Sequence, residues 1–485
     1  MNWAELNLTP AIPEITLLCA LGVVLLVDLF LTDRQRGLTY VLSLVSVALT
    51  AAVQLVVWNG QPAEAFSNLF VNDGISQVAK LMMYLGVFLV FIYSRNYLAN
   101  RDIFKGEFYT LTLFALLGMN IMVSANHFLT LYVGLELLSL AMYAMVALRR
   151  DNLLATEAAL KYFVLGALAS GLLLYGISFV YGATGHLQLG EVLAALQGDN
   201  VNPWLMTLGL IFIVVGVAFK LGVVPFHMWV PDVYEGAPTA VTAFIGSAPK
   251  VAATVFAFRI VGTALPTLAE DWSQMFALLA VASLLVGNLA AIMQTNIKRT
   301  LAYSTVSHMG FVMLAFIGGF QNGGYAAALY YSIVYMLTGL VAFGVLMALS
   351  NKDKECDKIS DLAGLNQKSP FMALMMLLAM FSMAGIPPLM GFYAKLSVLK
   401  ALIATGNTAF LAVSVFAVIM SLIGAFYYLR VVKVMYFDEP SDAVKGDMRP
   451  DALVLLGVNG LALLVLGVLP TSVVQWCVQA LQMTL

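Results

Sequence analysis

The fold of this chain is decided by the stretch Ala218-Phe-Lys-Leu-Gly-Val-Val-Pro-Phe-His-Met-Trp229, which lies inside a long apolar segment. Pro225 lacks a backbone donor and clashes with the carbonyl four residues before it, while Gly222 permits the chain to bend. The stretch therefore predicts a broken helix in apolar surroundings.

A second stretch of the same kind reads Met383-Ala-Gly-Ile-Pro-Pro-Leu-Met-Gly-Phe-Tyr-Ala-Lys395, with its break at Gly385, Pro387 and Pro388. Either break alone is compatible with a harmless proline kink. Interrupted backbone survives in lipid only where protein or water satisfies it, and matching breaks in two halves of a transporter mark an ion site. Because each break has a lysine beside it, the pair indicates transport.

The surrounding composition is that of a membrane protein. Of 485 residues, 10% are charged and 61% are apolar, whereas soluble proteins carry about 25% charged residues. A chain of this composition has to face lipid. Its 24 basic and 26 acidic residues leave no basic surplus for a nucleic-acid partner.

A helix that crosses the hydrocarbon core needs about 20 mostly apolar residues. We find fourteen such segments, called spans 1 to 14, and predict an all-α polytopic membrane protein in which spans 7 and 12 are broken. The spans are residues 12–31, 38–58, 75–96, 108–125, 127–147, 158–182, 204–230, 238–262, 272–292, 299–320, 324–349, 370–400, 407–434 and 451–475.

Basic residues predict the orientation, because short cytoplasmic loops collect lysine and arginine. With the N-terminus outside, 17 of the 24 basic residues fall on the inner side, and only Lys400 and Arg259 fall on the outer side. We therefore expect both termini to face outward.

Eight ionisable residues remain at membrane depth after that assignment. They are Lys80, Lys161, Lys220, Lys250, Lys395, Glu136, His227 and His308. A charge at the bilayer centre costs about 2.5–3.5 kcal/mol on insertion scales, so each needs a partner, a wet cavity or a route to the interface. Lys80 is near its helix end, and we expect it to extend outward to the interface.

Glu136 lies nine residues into span 5, about 14 Å deep at 1.5 Å per residue. At this depth it needs a cation, which Lys220 or Lys250 can supply. One interpretation is a buried ion pair that fixes helix packing. The other is a proton relay, which the surplus of lysines favours because a desolvated lysine releases its proton readily.

The remaining candidates have two interpretations each. Lys161 is either interfacial or part of a proton path, and His227 and His308 are either proton shuttles or hydrogen-bonded structural groups. The four histidines have no paired spacing and the three cysteines lie far apart. Neither pattern is that of a metal or haem site, so we expect no metal or redox cofactor bound by this chain.

The two halves of the chain match each other. Residues 158–162 (Ala-Ala-Leu-Lys-Tyr) recur 169 positions later as residues 327–331 (Ala-Ala-Leu-Tyr-Tyr), and Gly222 and Gly385 are 163 positions apart. An odd number of spans per unit makes the second unit inverted. We predict spans 1–3 in residues 1–107, five-helix repeats in residues 108–262 and 263–436, and span 14 in residues 437–485.

Taken together, these residues resemble the antiporter-like proton-pumping subunits of respiratory complex I and the Mrp-type cation/proton antiporters. The resemblance covers the whole chain. It rests on the glutamate in span 5, the lysines in spans 7 and 8, and the charged residue after the break in span 12. Lys395, where M-type members have glutamate, and the lack of an L-type lateral helix after span 14 favour the N-type branch.

The resemblance implies a subunit of a bacterial NADH-quinone oxidoreductase that translocates protons across the inner membrane beside other antiporter-like complex I subunits. NAD(H), FMN, iron–sulfur clusters and quinone are then expected in or with other subunits. The family's scheme implies uptake from the inner side, storage on Lys220, transfer to Lys250 and release by Lys395, with Glu136 tuning Lys220. The alternatives are a Na⁺ or K⁺/H⁺ antiporter subunit and a structural scaffold.

Overall fold

A computed structural model of the chain describes residues 6–198, 201–352, 354–440 and 448–484. Lys445, one of the basic residues assigned to the inner side, lies outside the described residues. We call the face of the helix bundle at which the first helix begins the N-terminal face, and the other the opposite face.

The apolar segments form α-helices, numbered in chain order. They are α1 (Ile12–Leu29), α2 (Gly37–Val57), α3 (Gly74–Asn100), α4 (Gly106–Val123), α5 (Phe128–Val146), α6 (Leu153–Thr184), α7 (Leu189–Leu196), α8 (Pro203–Leu221), α9 (Trp229–Gly236), α10 (Thr239–Ile245), α11 (Ala248–Ala257), α12 (Ala269–Met293), α13 (Ile297–Ile317), α14 (Gly324–Leu349), α15 (Leu365–Lys368), α16 (Pro370–Ala384), α17 (Met390–Ile403), α18 (Thr408–Phe437), α19 (Pro450–Val468) and α20 (Thr471–Gln482). A π-helical segment (Phe258–Ala264) extends α11. The described part of the chain is nearly all helical, as predicted, and its one named strand pair is a short antiparallel hairpin of β1 (Ala63–Ala65) and β2 (Phe70–Asn72) between α2 and α3.

Thirteen helices in the described part of the chain are long and apolar enough to cross a membrane, which confirms a polytopic membrane protein. The remaining predicted span, residues 370–400, is divided by its break into α16 and α17. Span 8 is also interrupted, contrary to the prediction, because Gly246 caps the end of α10 and Pro249 lies in the first turn of α11. Span 14 ends early because Pro470 separates α19 from the short α20.

Both predicted breaks are confirmed. Helix α8 ends at Leu221, where Gly222 adopts a φ of 82°, and α16 ends at Ala384, where Gly385 adopts a φ of 85°. A positive φ at the end of a helix is the conformation that glycine tolerates and other residues resist. The glycines therefore end the helices within the apolar segment, and the prolines that follow prevent their continuation.

Equivalent backbone contacts recur in the two halves. An isolated bridge joins His127, before α5, to Gln188, and another joins Asn296, before α13, to Lys358. The equivalent positions are 169 and 170 residues apart, close to the intervals in the sequence. Because α5 begins at the N-terminal face and α13 at the opposite face, the bridges support the prediction of an inverted repeat.

The centre of the bundle is sealed from its surroundings by outer helices. Every residue is buried in the apolar stretches of Thr239–Ala264 and α14 and 94% of the residues in that of α13, whereas only 28% and 22% are buried in those of Thr9–Leu29 and α18. The side chains of Lys250 and His308 on these helices are consequently shielded from lipid and bulk water. This interior contains the candidate site.

Candidate functional site

The first buried lysine is held at the end of a broken helix. Lys220 lies in the last turn of α8 and donates from Nζ to Oγ of Ser139 at 2.9 Å. Ser139 follows Glu136 by one turn of α5, so the two side chains share one helix face. Glu136 interacts electrostatically with Lys220, but its buried Oε1 has no hydrogen-bond partner among the described residues. The two side chains are therefore not in direct contact, since Ser139 occupies the place beside the ammonium.

The second lysine binds the broken end itself. Lys250 is 2% exposed, and its Nζ donates to the carbonyl oxygen of Leu221 at 2.9 Å. A helix end leaves carbonyl groups without intrahelical partners and carries a partial negative charge that favours a cation. The indole ring of Trp229 lies 5.1 Å from the same ammonium, which adds a cation–π contact. The break in α8 thus creates the acceptor for Lys250.

The second break repeats this arrangement. Lys395 on α17 donates from Nζ to the carbonyl oxygen of Ala384 at 2.9 Å and to Oγ of Ser421 at 2.7 Å. Ala384 is the last residue of α16 and lies 163 residues after Leu221, the same interval that separates the two break glycines. Each broken helix therefore presents its terminal carbonyl to a lysine from a later helix, fully enclosed for Lys250 and partly enclosed for Lys395.

Three serines that the sequence analysis missed complete these contacts. Ser139 and Ser421 accept from lysines, and Ser283 on α12 accepts from the backbone N–H of Val224, which the break leaves without a helical partner, at 2.9 Å. A lone hydroxyl on an apolar helix is the available sequence signal. It is ambiguous because such hydroxyls also bond to their own helix.

His308 on α13 lies in a cluster of hydroxyl groups beside the second break. Its Nδ1 is 2.6 Å from the hydroxyl of Tyr331, and its Nε2 is 2.9 Å from the hydroxyl of Tyr428. The adjoining cavity is also lined by Thr338 and by Ser382 of α16. Hydroxyl groups both donate and accept, so this arrangement is able to pass a proton through the imidazole.

Polar side chains also occupy the region between Lys250 and His308. The ring of Tyr335 lies 5.0 Å from the imidazole of His308, and its hydroxyl is 2.5 Å from Oγ1 of Thr305. Tyr234 lies beside Thr305 and packs its hydroxyl against Gly246, one turn before Lys250. The structure therefore brings Glu136, Lys220, Lys250, His308 and Lys395 into one polar axis through an apolar core.

Lys161 and His227 lie off this axis. Lys161 is near the opposite face, has a side chain that is 45% exposed, and forms ion pairs of 2.8 Å with Glu157 and Asp232. His227 lies in the first break, and its buried Nδ1 has no partner within the described residues. These ion pairs agree with the interpretation of Lys161 as a residue at the membrane interface.

The expectation for Lys80 is wrong. Its side chain is fully buried, and its Nζ lies 2.8 Å from Oε1 of Glu14 in an ion pair without the alignment of a regular hydrogen bond. The Phe70 ring covers the ammonium at 5.0 Å. The hairpin and α1 close over Lys80, and a single-helix depth argument cannot detect that covering.

At the opposite face, Glu355 gathers groups from both halves. Its carboxylate lies 2.9 Å from Arg101 and 3.9 Å from Lys298, and it accepts from the hydroxyls of Tyr97 at 2.6 Å and Thr239 at 2.5 Å. Burial raises the pKa of Glu355, but Lys298, the two hydroxyls and Arg101 together lower it to about 2. Because Thr239 begins α10, this carboxylate anchors the segment that leads to Lys250.

The sequence and the fold of this chain are both similar to those of known membrane proteins. The family described as "NADH:quinone oxidoreductase/Mrp antiporter, TM" matches residues 125–421. A relative from Neisseria gonorrhoeae, "NADH-quinone oxidoreductase subunit N", is 61% identical over 100% of both chains. A chain of respiratory complex I from Thermus thermophilus superimposes with a TM-score of 0.82 at 35% identity, covering 96% of this chain and 98% of that one. A chain of the Mrp complex from Dietzia sp. has a TM-score of 0.85 at 19% identity, covering 98% and 97%, and shares the fold.

Proposed function

The chain belongs to the NADH:quinone oxidoreductase/Mrp antiporter family and is a membrane subunit of an NADH-quinone oxidoreductase, and from that premise we propose that it is the proton-translocating part of a translocase. Electron transfer then takes place in other subunits, which hold NAD(H), FMN and iron–sulfur clusters and bind quinone. This chain supplies a path for protons across the membrane.

The observation that supports this proposal is the pair of broken helices that present their terminal carbonyls to Lys250 and Lys395. A neutral lysine loses part of its attraction to such a carbonyl, so each contact responds to the arrival or departure of a proton. The hydroxyl-lined environment of His308 joins the two breaks. A packing role alone does not require two lysines at matched breaks with a histidine between them.

In the proposed sequence of events, the opposite face is the cytoplasmic side and the N-terminal face is the outer side of a bacterial inner membrane. A proton enters the first repeat past Lys161 and His227, is held on Lys220 and passes to Lys250. It then moves through His308 to Lys395, which releases it outward. Ser139 positions the Lys220 ammonium during the storage step.

Glu136 would couple this path to a neighbouring subunit. It lies on α5 between Val133 and Leu140, which are 57% and 55% exposed, so this face of the helix needs an apolar covering of protein or lipid. A homologous antiporter-like subunit packed side by side provides such a covering. A change of charge at that boundary would then alter the electrostatic attraction between Glu136 and Lys220.

Replacing Lys220 by alanine tests the proposal. We expect Lys220→Ala to abolish most proton pumping and the tightly coupled quinone reductase activity, while the subunit still assembles. Lys352→Ala is the matched control, because that side chain is 73% exposed at the opposite face. Normal coupled turnover in an assembled Lys220→Ala complex would overturn the proposal.

The antiporter alternative is not favoured by the comparisons. Sequence identity to the Dietzia Mrp chain is 19%, which supports a common fold alone. Sequence identity to subunit N from Neisseria gonorrhoeae is 61% over the full length. The proposal is therefore confined to proton translocation within the oxidoreductase.

A further inference from the structure

A second group of buried charges lies outside the central axis, near the N-terminal face. It consists of two ion pairs, Glu14 with Lys80 and Asp73 with Arg259, which we call the N-face cluster. All four residues are at most 7% exposed. They come from α1, α3, the residue before α3, and the π-helical extension of α11, and the central axis uses none of them.

The first pair is well buried and incompletely bonded. Nζ of Lys80 is 2.8 Å from Oε1 of Glu14, yet neither Nζ nor either carboxylate oxygen of Glu14 makes a regular hydrogen bond within the described residues. Towards the membrane centre, Tyr84 lies one turn along α3 and accepts from Nδ2 of Asn120 at 2.7 Å. The buried Oδ1 of Asn120 also has no partner in the described part of the chain.

The second pair leads to the surface. Arg259 donates to both oxygens of Asp73, at 2.6 and 2.8 Å, and to the carbonyl oxygen of Val123 at 3.0 Å. Asp73 and Arg259 also line a pocket of about 530 Å³ that is open at the N-terminal face. Among the other lining residues, Thr263 has a buried hydroxyl without a partner in the described residues.

The cluster is connected to the central axis through α11. Lys250 and Arg259 lie nine residues apart on this helix and its extension, about 14 Å at 1.5 Å per residue. Helix α3 packs against the same helix, since a Cβ at Gly86 would lie 3.4 Å from that of Ala248. Tyr84, Lys80 and the pocket therefore follow one another along α11 from the level of Lys250 to the N-terminal face.

The burial and the incomplete hydrogen bonding of the Glu14–Lys80 pair are not those expected of an ion pair that only stabilises the fold. Burying two charges costs about as much as their attraction returns, and apolar residues often replace such pairs without loss. Structural pairs are retained with their polar atoms satisfied. Here Glu14, Lys80, Asn120 and Thr263 each have a buried polar atom that lacks an aligned hydrogen bond among the described residues, as expected of groups that exchange partners and hydrogen-bond to water.

We propose that the N-face cluster is a second proton-release route, which branches from the central axis at Lys250 and is parallel to release by Lys395, with the Glu14 carboxylate as its acceptor. This inference rests on the proposed function. A proton supplied from the Lys250 side of α11 moves through the Tyr84 hydroxyl, which passes on its own proton and receives the arriving one. Protonated Glu14 loses its attraction to Lys80. The proton then leaves past Asp73 into the pocket and the water beyond it, and the Glu14–Lys80 pair forms again.

The decisive experiment removes both charges of the inner pair together. Glu14→Gln/Lys80→Met leaves no unpaired charge and fills a similar volume, so a structural pair tolerates it. We expect the assembled double variant to release protons more slowly than wild type, in proportion to the share that leaves by this route, measured in proteoliposomes with NADH and a quinone. Wild-type release by the assembled double variant would overturn the inference.

Two further variants keep the outcome interpretable. Tyr84→Phe removes one hydroxyl and retains the ring, so it decides the question if the double variant fails to assemble: slowed release supports the route, and normal release refutes it. Asp28→Asn is the matched control, because Asp28 is a carboxylate on α1 paired with Arg36 at 2.9 Å at the opposite face, and it should pump normally. Lys220→Ala, tested in parallel, separates failure of this route from failure of the proposed function.

Discussion

Replacing Glu355 by glutamine should lower the local stability of the opposite face while leaving the shape of the side chain nearly unchanged. The carboxylate has a side-chain exposure of 16% and lies 2.9 Å from Arg101 and 3.9 Å from Lys298, whose own side chain is 3% exposed. After the substitution, the Lys298 ammonium retains its bond to the carbonyl oxygen of Ala237 at 2.8 Å. It then loses the strongest of its carboxylate partners, and only the weaker attraction of Asp357 and Glu235 remains.

The size of the effect follows from the pKa of Glu355, which falls from 4.5 to about 2 in the folded chain. A shift of this size corresponds to roughly 3 kcal/mol of stability at neutral pH. That figure is consistent with the cost of about 3–5 kcal/mol for removing one partner of a buried ion pair. Because the folded pKa is depressed, the contribution is complete above pH 4.5 and is lost as the pH falls towards 2.

Cys356 provides a local probe for this prediction. It is next to Glu355, is 1% exposed and carries a free thiol, so a thiol reagent reacts with it only when the segment opens. A loss of about 3 kcal/mol should accelerate its labelling in the purified complex by about 100-fold at neutral pH. In pepsin cleavage, wild type and Glu355→Gln should become alike as the pH approaches 2.

The control for this measurement lies on the same face. Asp102 is 4.0 Å from Lys352, and their side chains are 80% and 73% exposed, so Asp102→Asn should leave the labelling of Cys356 unchanged. Equal labelling rates for Glu355→Gln and Asp102→Asn would refute the claim that Glu355 anchors this face.

Two other predictions concern the breaks. Gly222→Ala places a residue with a side chain at a φ of 82°, which costs about 1–2 kcal/mol, and its Cβ would lie 2.7 Å from Cγ2 of Val230. The carbonyl group that binds Lys250 should therefore shift, and proton pumping should fall several-fold. Gly182→Ala, with nothing within 4 Å of its Cβ, should pump normally, and equal pumping by both variants would contradict the role of the break. Lys395→Glu should pump better than Lys395→Ala if the position requires only a titratable group, and equal loss in the two variants, measured in the same vesicles, would exclude that requirement.

Much of the candidate axis was accessible from the sequence because charge is costly in lipid. Lys220, Lys250 and Lys395 could be recognised one by one, since each is a charge that neither loops nor helix ends account for. Their immediate partners could not be recognised. The backbone carbonyls of Leu221 and Ala384 have no signature in the sequence, although the glycine after each of them marks where a helix must end.

Glu14 and Lys80 illustrate the opposite case. Each lies near the start of an apolar helix, where depth alone predicts an interfacial residue. Only the tertiary arrangement, in which α1 and α3 both pack against α2 and α4 and the hairpin covers the ammonium, turns two apparently interfacial charges into a buried pair. Span 8 was similarly predicted as continuous, because Gly246 and Pro249 are individually tolerated in membrane helices and their joint effect depends on neighbouring contacts.

The sequence by itself determined that this is a polytopic membrane protein, where its helices break and which charges remain in the membrane, because these properties depend on local composition and backbone chemistry. Only the tertiary structure decided which groups the charges contact. The membrane helices are apolar on all sides, so hydrophobic periodicity does not identify the neighbour of a given helix face. That choice depends on packing between residues far apart in the chain, and it separates the central axis from the N-face cluster.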